Sequence, residues 1–301
     1  MSLAPRLPER PGAEAVAAKG WLAAHRWLLL RRASQIFFLA LFLTGPWFGV
    51  WITKGTLASS LTLGILPLSD PFIELQSLLG GHLPTLTAIT GALIVLAAYL
   101  LVGGRAYCSW VCPINPVTDA AHWLHRRLGF SKGWQPRRTT RLWLLGLALL
   151  GSAVTGTVFW EFVNPVTIFH RTLVYGLAGG WFVILAIFLF DLVVSRRGWC
   201  SHLCPVGAFY GQLNRFALLK VSARGRAACD NCMDCFAVCP EPHVITPALR
   251  GTGPDGSPVI RHFDCTNCAR CIDVCAKDVF GFAIRSDRSE VSVRPHLAPE
   301  S

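Results

Sequence analysis

Charge is scarce in this chain. Only 15% of its 301 residues are Asp, Glu, Lys or Arg, against 52% hydrophobic. Soluble domains carry about 25% charged residues, so an ordinary soluble enzyme is excluded, as are disordered and collagen-like chains. Acidic residues are the rarer sign, 17 against 28 basic, leaving a net charge of +11. No secretory signal peptide fits the N-terminus, because the first apolar run begins late and has no small-residue cleavage site. There is no Cys-x-x-Cys-His haem-attachment motif and no Gly-rich nucleotide fingerprint, so haem attachment and direct oxidation of a nicotinamide are without support.

What remains is apolar sequence, basic residues and twelve cysteines. Four apolar stretches, about 33–52, 83–102, 142–159 and 173–194, approach the ~20 residues that cross a bilayer. Gly45-Pro46 predicts a kink in the first, and Trp47, Trp51, Trp160 and Trp199 sit where interfacial anchors belong. Arg31-Arg32 reads as a cytoplasmic flank rather than a twin-arginine export signal, since the run behind it is long enough to span. Lys and Arg number six before the first stretch, seven between the second and third and thirteen after the fourth. The two remaining loops, 53–82 and 160–172, hold one each. The positive-inside rule then places both termini and loop 103–141 in the cytoplasm of a bacterial inner-membrane protein. The basic excess is thereby an orientation signal, and nucleic acid is not called for.

The two span pairs form an internal repeat. Arg105-Ala-Tyr-Cys108-Ser-Trp-Val-Cys112-Pro113 matches Arg197-Gly-Trp-Cys200-Ser-His-Leu-Cys204-Pro205, and Asp70-Pro71 matches Asn164-Pro165. Both halves start on one side, which predicts parallel repeats about an axis along the membrane normal. The predicted fold is an α-helical membrane protein, a four-span bundle of two parallel helix-pair repeats, plus a small α+β two-cluster bacterial ferredoxin-like domain. Its segments are a basic N-terminal segment (1–32), the membrane domain (33–215), the ferredoxin domain (216–285) and a frayed tail (286–301). Strands are expected at 218–222 and 279–284, and a loop at 250–258.

The C-terminal cysteines are spaced Cys229-x2-Cys232-x2-Cys235-x3-Cys239-Pro240 and Cys265-x2-Cys268-x2-Cys271-x3-Cys275. This is the bacterial two-cluster spacing, in which the fourth cysteine of each run ligates the other cluster. One [4Fe–4S] cluster is expected on Cys229, Cys232, Cys235 and Cys275, and a second on Cys265, Cys268, Cys271 and Cys239. Zinc sites come as separated pairs, and a cytoplasmic location disfavours disulfides. The second run ends in Cys275-Ala276 rather than Cys-Pro, which removes no ligand. Cys108, Cys112, Cys200 and Cys204 are a separate set. If helical, the i, i+4 spacing puts each pair on one face. The readings are a third redox centre, either a cluster on all four thiolates or a thiol/disulfide couple near a quinone site, or small buried residues at helix ends.

Several ionisable residues accompany these motifs. His202 is expected as a partly exposed interfacial residue, with a ligand or proton-carrier role as the alternative. Asp70, Glu74, Glu161 and His170 flank the spans as quinol-proton acceptors or as solvated loop residues. His243 is expected as a loop residue beside the second cluster.

These residues resemble the NapH family of ferredoxin-type membrane quinol dehydrogenase components. Beyond the cysteines, the resemblance runs through Lys19-Gly-Trp21, His25-Arg-Trp27, Gly45-Pro-Trp47-Phe-Gly-Val-Trp51, Gly81-His-Leu-Pro84, Cys200-x3-Cys204-Pro-Val-Gly-Ala208 and Cys232-Met-Asp-Cys235-Phe-x-Val-Cys239-Pro-Glu-Pro-His243. It implies an electron-transfer subunit, rather than a stand-alone enzyme, that passes electrons from the quinol pool towards periplasmic nitrate reductase through a periplasmic multi-cluster ferredoxin-type partner. The alternative is a membrane polyferredoxin that serves maturation or redox sensing of a periplasmic metalloenzyme.

Overall fold

The computed structural model describes residues 10–129, 134–253 and 256–287. Arg6, residues 254–255 of the expected loop, and the expected tail beyond residue 287 lie outside the described residues. In chain order the elements are α1 (Ala13–Lys19), α2 (Trp21–Ala24), α3 (Arg26–Phe48), β1 (Thr53–Gly55), β2 (Ser59–Thr62), β3 (Leu66–Ser69), α4 (Pro71–Leu79), α5 (Leu86–Val102), α6 (Ile114–Arg127), α7 (Thr140–Thr155), α8 (Pro165–Tyr175), α9 (Ala178–Leu189), α10 (Pro205–Asn214), β4 (Leu219–Ser222), α11 (Asp234–Val238), α12 (Ile245–Arg250), α13 (Arg270–Asp273) and β5 (Gly281–Ile284). They fall into two units, one of residues 34–99 and 107–212, the other of residues 1–33, 100–106 and 213–301.

In the first unit, one of the four apolar stretches forms a helix long and apolar enough to cross a membrane, α3, with 23 residues. The others give shorter helices at Leu86–Val102, Thr140–Thr155 and Ala178–Val194. Seventeen residues rise about 26 Å, short of a ~30 Å hydrocarbon core. The ends have local causes. Gly49, left-handed directly after Phe48, closes α3, its N–H donating to Gly45 O. Gly156 and Gly176 cap α7 and α8 in the left-handed conformation that glycine adopts without strain. The Gly176 cap splits the fourth stretch, so its helix begins at Ala178. Large apolar side chains stand exposed on these helices, among them Leu93, Trp143, Leu150, Val154, Phe182 and Leu185.

The internal repeat is a repeat of structure. Asp70 and Asn164 each cap a helix begun by proline, accepting from Phe72 N and Val166 N. An apolar helix follows, then a π-helical turn (Tyr107–Val111, Trp199–Leu203), then a Pro-led helix. Loop 53–82, between the first two apolar stretches, is not unstructured. It folds into a three-stranded antiparallel sheet in the order β1-β2-β3. The β3 backbone lies so close to Gly91 in α5 that a Cβ there would stand 3.0 Å from Ser69 N.

The second unit has the expected strands, each starting slightly late. They pair antiparallel as Leu219↔Ile284 through Ser222↔Gly281. Behind them lies a core of Val221, Val244, Ile245, Leu249, Ile260 and Phe280. The described part of the basic N-terminal segment packs here rather than standing apart. Gly12 N donates to Asp234, and Lys19 Nζ donates to the carbonyls of Ile272 and Cys275. Asp273 accepts from Trp27 N and Leu28 N at the start of α3. A carboxylate there satisfies orphan donors and complements the helix dipole.

Candidate metal centres

Each cysteine run of the second unit coils through two left-handed residues flanking its second cysteine, Asn231 and Met233 in one, Asn267 and Ala269 in the other. These tight turns draw three thiols inward. One cavity is lined by Cys229, Cys232, Cys235 and Cys275, and another by Cys239, Cys265, Cys268 and Cys271. Each thus gathers three cysteines of one run and the fourth of the other.

The thiols feel one another as well as their burial. Burial, then Cys275, Cys232 and Cys229, push Cys235 up to about 12. Burial likewise raises Cys265 to about 11, partly offset by Lys220 and Arg105. At Cys268, burial is outweighed by the Arg270 and Arg31 guanidiniums and by hydrogen bonds from Thr266 and Arg270 N, so its thiol lies below the ordinary value. Crowded thiols that repel as anions suit a cationic core that deprotonates all four. Among the described residues, the group of ligand atoms within 4.8 Å of one another is His243, His262 and Asp264. Four cysteines at each cavity, three from one run and one from the other, match the donor set of a [4Fe–4S] cluster.

Arg105 is buried and donates to the carbonyl of Asp264, with Glu241 3.4 Å away. His243, expected as a simple loop residue, lies 3.2 Å from the buried Asp264 carboxylate and edge-on to His262.

The CxxxCP cysteines in the first unit sit on π-helical turns, not α-helix. Cys112 N donates to Tyr107 O and Cys204 N to Trp199 O. All four come together. Burial raises Cys112, and Cys108 and Cys204 raise it further; Cys200 is raised by burial, then by Asp191 and its three cysteine neighbours. Thr118 Oγ1 lies 3.8 Å from Cys200 Sγ. Arg197 pairs with Asp119 at 3.5 Å. His202 is buried, correcting the expectation of a partly exposed residue, because the π-helical turn carries it inward with Ser201.

The ionisable residues of loops 53–82 and 160–172 are also not plain loop groups. Asp70 accepts from Phe72 N and from the Tyr210 hydroxyl. Glu161 accepts from Asn164 and Thr167, and Glu74 accepts from Ser69. His170 is buried edge-on to Phe42, and burial lowers its pKa. Sequence reasoning missed Tyr99, Tyr107 and Tyr210, which pack together with ring centroids 5.1–6.2 Å apart. Four tyrosines in the whole chain, three of them near cysteine motifs, were the available signal.

Known proteins match this arrangement. A family described as a 4Fe-4S binding domain matches twice, at residues 84–131 and 177–224, over the two structural repeats. A 4Fe-4S dicluster domain matches residues 228–279. The "Methylamine utilization ferredoxin-type protein MauN" of Methylorubrum extorquens is 54% identical, covering 94% of this chain and 96% of that protein. MauN of Paracoccus denitrificans is 56% identical, over 90% and 95%. The "Ferredoxin-type protein NapH" of Escherichia coli is 51% identical, over 91% and 95%. The chain belongs to the NapH/MauN family of ferredoxin-type proteins. As a member it is an iron–sulfur electron-transfer protein. The likeness extends to MauN as well as to NapH. No solved structure matches the chain.

Proposed function

We propose that the protein is the membrane iron–sulfur subunit of a quinol dehydrogenase, passing electrons from quinol towards periplasmic nitrate reductase through a multi-cluster ferredoxin-type partner. The observation that carries this reading is the gathering of all twelve cysteines into three sets of four. In this reading Cys229, Cys232, Cys235 and Cys275 hold one [4Fe–4S] cluster. Cys265, Cys268, Cys271 and Cys239 hold the second, and Cys108, Cys112, Cys200 and Cys204 form a third redox centre. When bound, such clusters supply reversible one-electron steps.

The chain's own residues shape those steps. Their tight turns orient the thiolates, and the core of Val221, Ile260 and Phe280 excludes water. The buried Lys220, Arg105 and Arg270 balance negative charge at the second set. Exposed apolar faces on α5, α7 and α9, together with the charge asymmetry, support four membrane passages with both termini and the ferredoxin unit cytoplasmic; loop 53–82 then re-enters the membrane domain, since its Asp70 accepts from Tyr210. The shorter helices fit if the bilayer thins or flanking residues reach to the interface.

Anaerobic titration of the purified full chain with quinol, followed by EPR, tests the reading. Appearance of reduced-cluster signals supports it, and clusters that dithionite reduces but quinol never does would sink it. The 54–56% identity to MauN proteins favours a second reading, in which the subunit serves a methylamine-utilization enzyme by electron delivery or maturation. Deleting the gene and measuring nitrate-dependent against methylamine-dependent growth separates the two.

A further inference from the structure

The first unit contains a pocket of about 130 Å³ that none of the cysteine sets uses. Apolar cavities of about 150 Å³ accept a benzene ring, so its size suits one six-membered ring. Phe38, Phe42, Leu68 and Val95 give it apolar walls, and Thr53 and Asp70 bring polar groups to it.

Three observations mark it as a built site. First, the Thr53 hydroxyl is buried and has no hydrogen-bond partner among the described residues. A buried unpaired polar atom costs about 1–3 kcal/mol and calls for a reason. Second, Asp70 caps α4 by accepting from Phe72 N, yet Asn164 performs the same cap in the second repeat with a neutral amide. The cap does not need a charge, so the carboxylate at Asp70 is left for another task. Third, Tyr107 and Val111, which neighbour Cys108 and Cys112, line the same pocket. Tyr210, bonded to Asp70, stacks on Tyr107 with ring centroids 5.4 Å apart. Asp70 and the first CxxxCP motif therefore lie at opposite ends of one short tyrosine bridge.

We propose that this pocket is the quinol oxidation site, seating the quinol ring against Phe38 and Phe42, with Asp70 accepting one hydroxyl proton and Thr53 hydrogen-bonding a ring oxygen. It rests on the quinol reading given above and assigns that reading its place in the chain. Oxidation breaks both quinol O–H bonds and yields quinone, two protons and two electrons. Asp70 takes one proton, the other leaves to water, and the electrons pass singly to two of the protein's iron–sulfur centres as oxidants.

The test uses the purified full chain, with decylubiquinol as the reductant and cluster bleaching as the readout. Asp70→Asn keeps the cap, as Asn164 shows, and is expected to slow cluster reduction about 100-fold or more. Its dithionite-reduced EPR spectrum is expected to match wild type. Thr53→Val removes a buried unpaired hydroxyl without changing shape, so it folds. It is expected to raise the half-saturating quinol concentration about tenfold with little change in maximal rate. An Asp70→Asn variant within threefold of wild type, or a Thr53→Val variant with unchanged quinol dependence, overturns the pocket assignment alone. A wild-type protein that decylubiquinol never reduces overturns the quinol reading and the pocket with it.

Discussion

Tyr210 donates its phenolic hydrogen to Asp70 Oδ1 at 2.9 Å, across 140 residues of chain. Burial raises the Asp70 pKa to about 6, against the lowering effect of the Phe72 N and Tyr210 hydrogen bonds, with Glu161 and Glu74 raising it further. Tyr99 and Tyr107 complete the surroundings.

The first prediction follows from that value. Only the carboxylate form accepts a quinol proton, so the rate of cluster reduction by quinol should rise with pH up to about 6 and then level off. In Asp70→Asn the rise should vanish; an unchanged pH–rate profile would count against Asp70 as acceptor. The stability effect has the opposite slope. A carboxyl whose pKa is raised in the folded state binds its proton more tightly there than when unfolded. Stability should therefore fall as pH climbs from the ordinary carboxylate range to about 6.

A second prediction concerns the two ferredoxin sites. Lys220 and Arg105 act on Cys265, and Arg270 and Arg31 on Cys268, whereas Asp234 and Asp230 act on Cys232 and Asp278 on Cys275, opposed there by Lys19. Nearby positive charge favours the reduced, more anionic cluster. The cluster on Cys265, Cys268, Cys271 and Cys239 should thus have the higher potential, and Lys220→Met should lower it by roughly tens of millivolts. Redox-poised EPR measures both. A lower potential at this site in the wild type refutes the electrostatic argument.

The fourth cysteine of each run supplies a third test. Cys275 lies in the cavity of Cys229, Cys232 and Cys235. Cys275→Ala should damage that cluster and spare the other. Loss confined to the other cluster's EPR signal would refute the crossed assignment.

Gly103 has φ +124°, and a Cβ there would stand 2.3 Å from Asn267 Nδ2. That amide donates to the carbonyls of Val102 and Leu219, pinning the turn that presents Cys268. Gly103→Ala combines backbone strain with loss of these bonds, at about 2–3 kcal/mol. Thermal melting should shift downward, and iron content should fall through preferential loss of the second cluster. Full iron loading at unchanged melting temperature would argue against this.

Topology is testable directly. A reporter active only in the periplasm, fused after Ser301, should be silent, and the same reporter placed between Gly80 and Gly81 should be active. The reverse pattern would overturn the charge-based orientation.

Much of the second unit was legible because its determinants are local. The 2-2-3 spacing dictates turns that carry three thiols inward, and alternating Leu219–Ser222 and Gly281–Ile284 read as strands. The repeat was likewise legible in Asp70-Pro71 and Asn164-Pro165, since the cap and its proline are adjacent residues. The helix ends at Gly156 and Gly176 were less so, since apolar composition continues past them while left-handed glycine backbone stops the helix.

The sequence by itself determined the chemistry available: twelve thiols in three patterned groups, basic residues gathered in three of the five segments outside the apolar stretches, and those stretches themselves. Only the tertiary structure decided which groups meet. Lys19 on the carbonyl of Cys275, the four CxxxCP thiols in one place, and Asp70 under Tyr210 are contacts between residues dozens to hundreds of positions apart. Periodicity reports which face of an element is apolar, but not which distant element covers it. Buried polar partners are set by packing, where an unpaired group costs more than a mismatched apolar one.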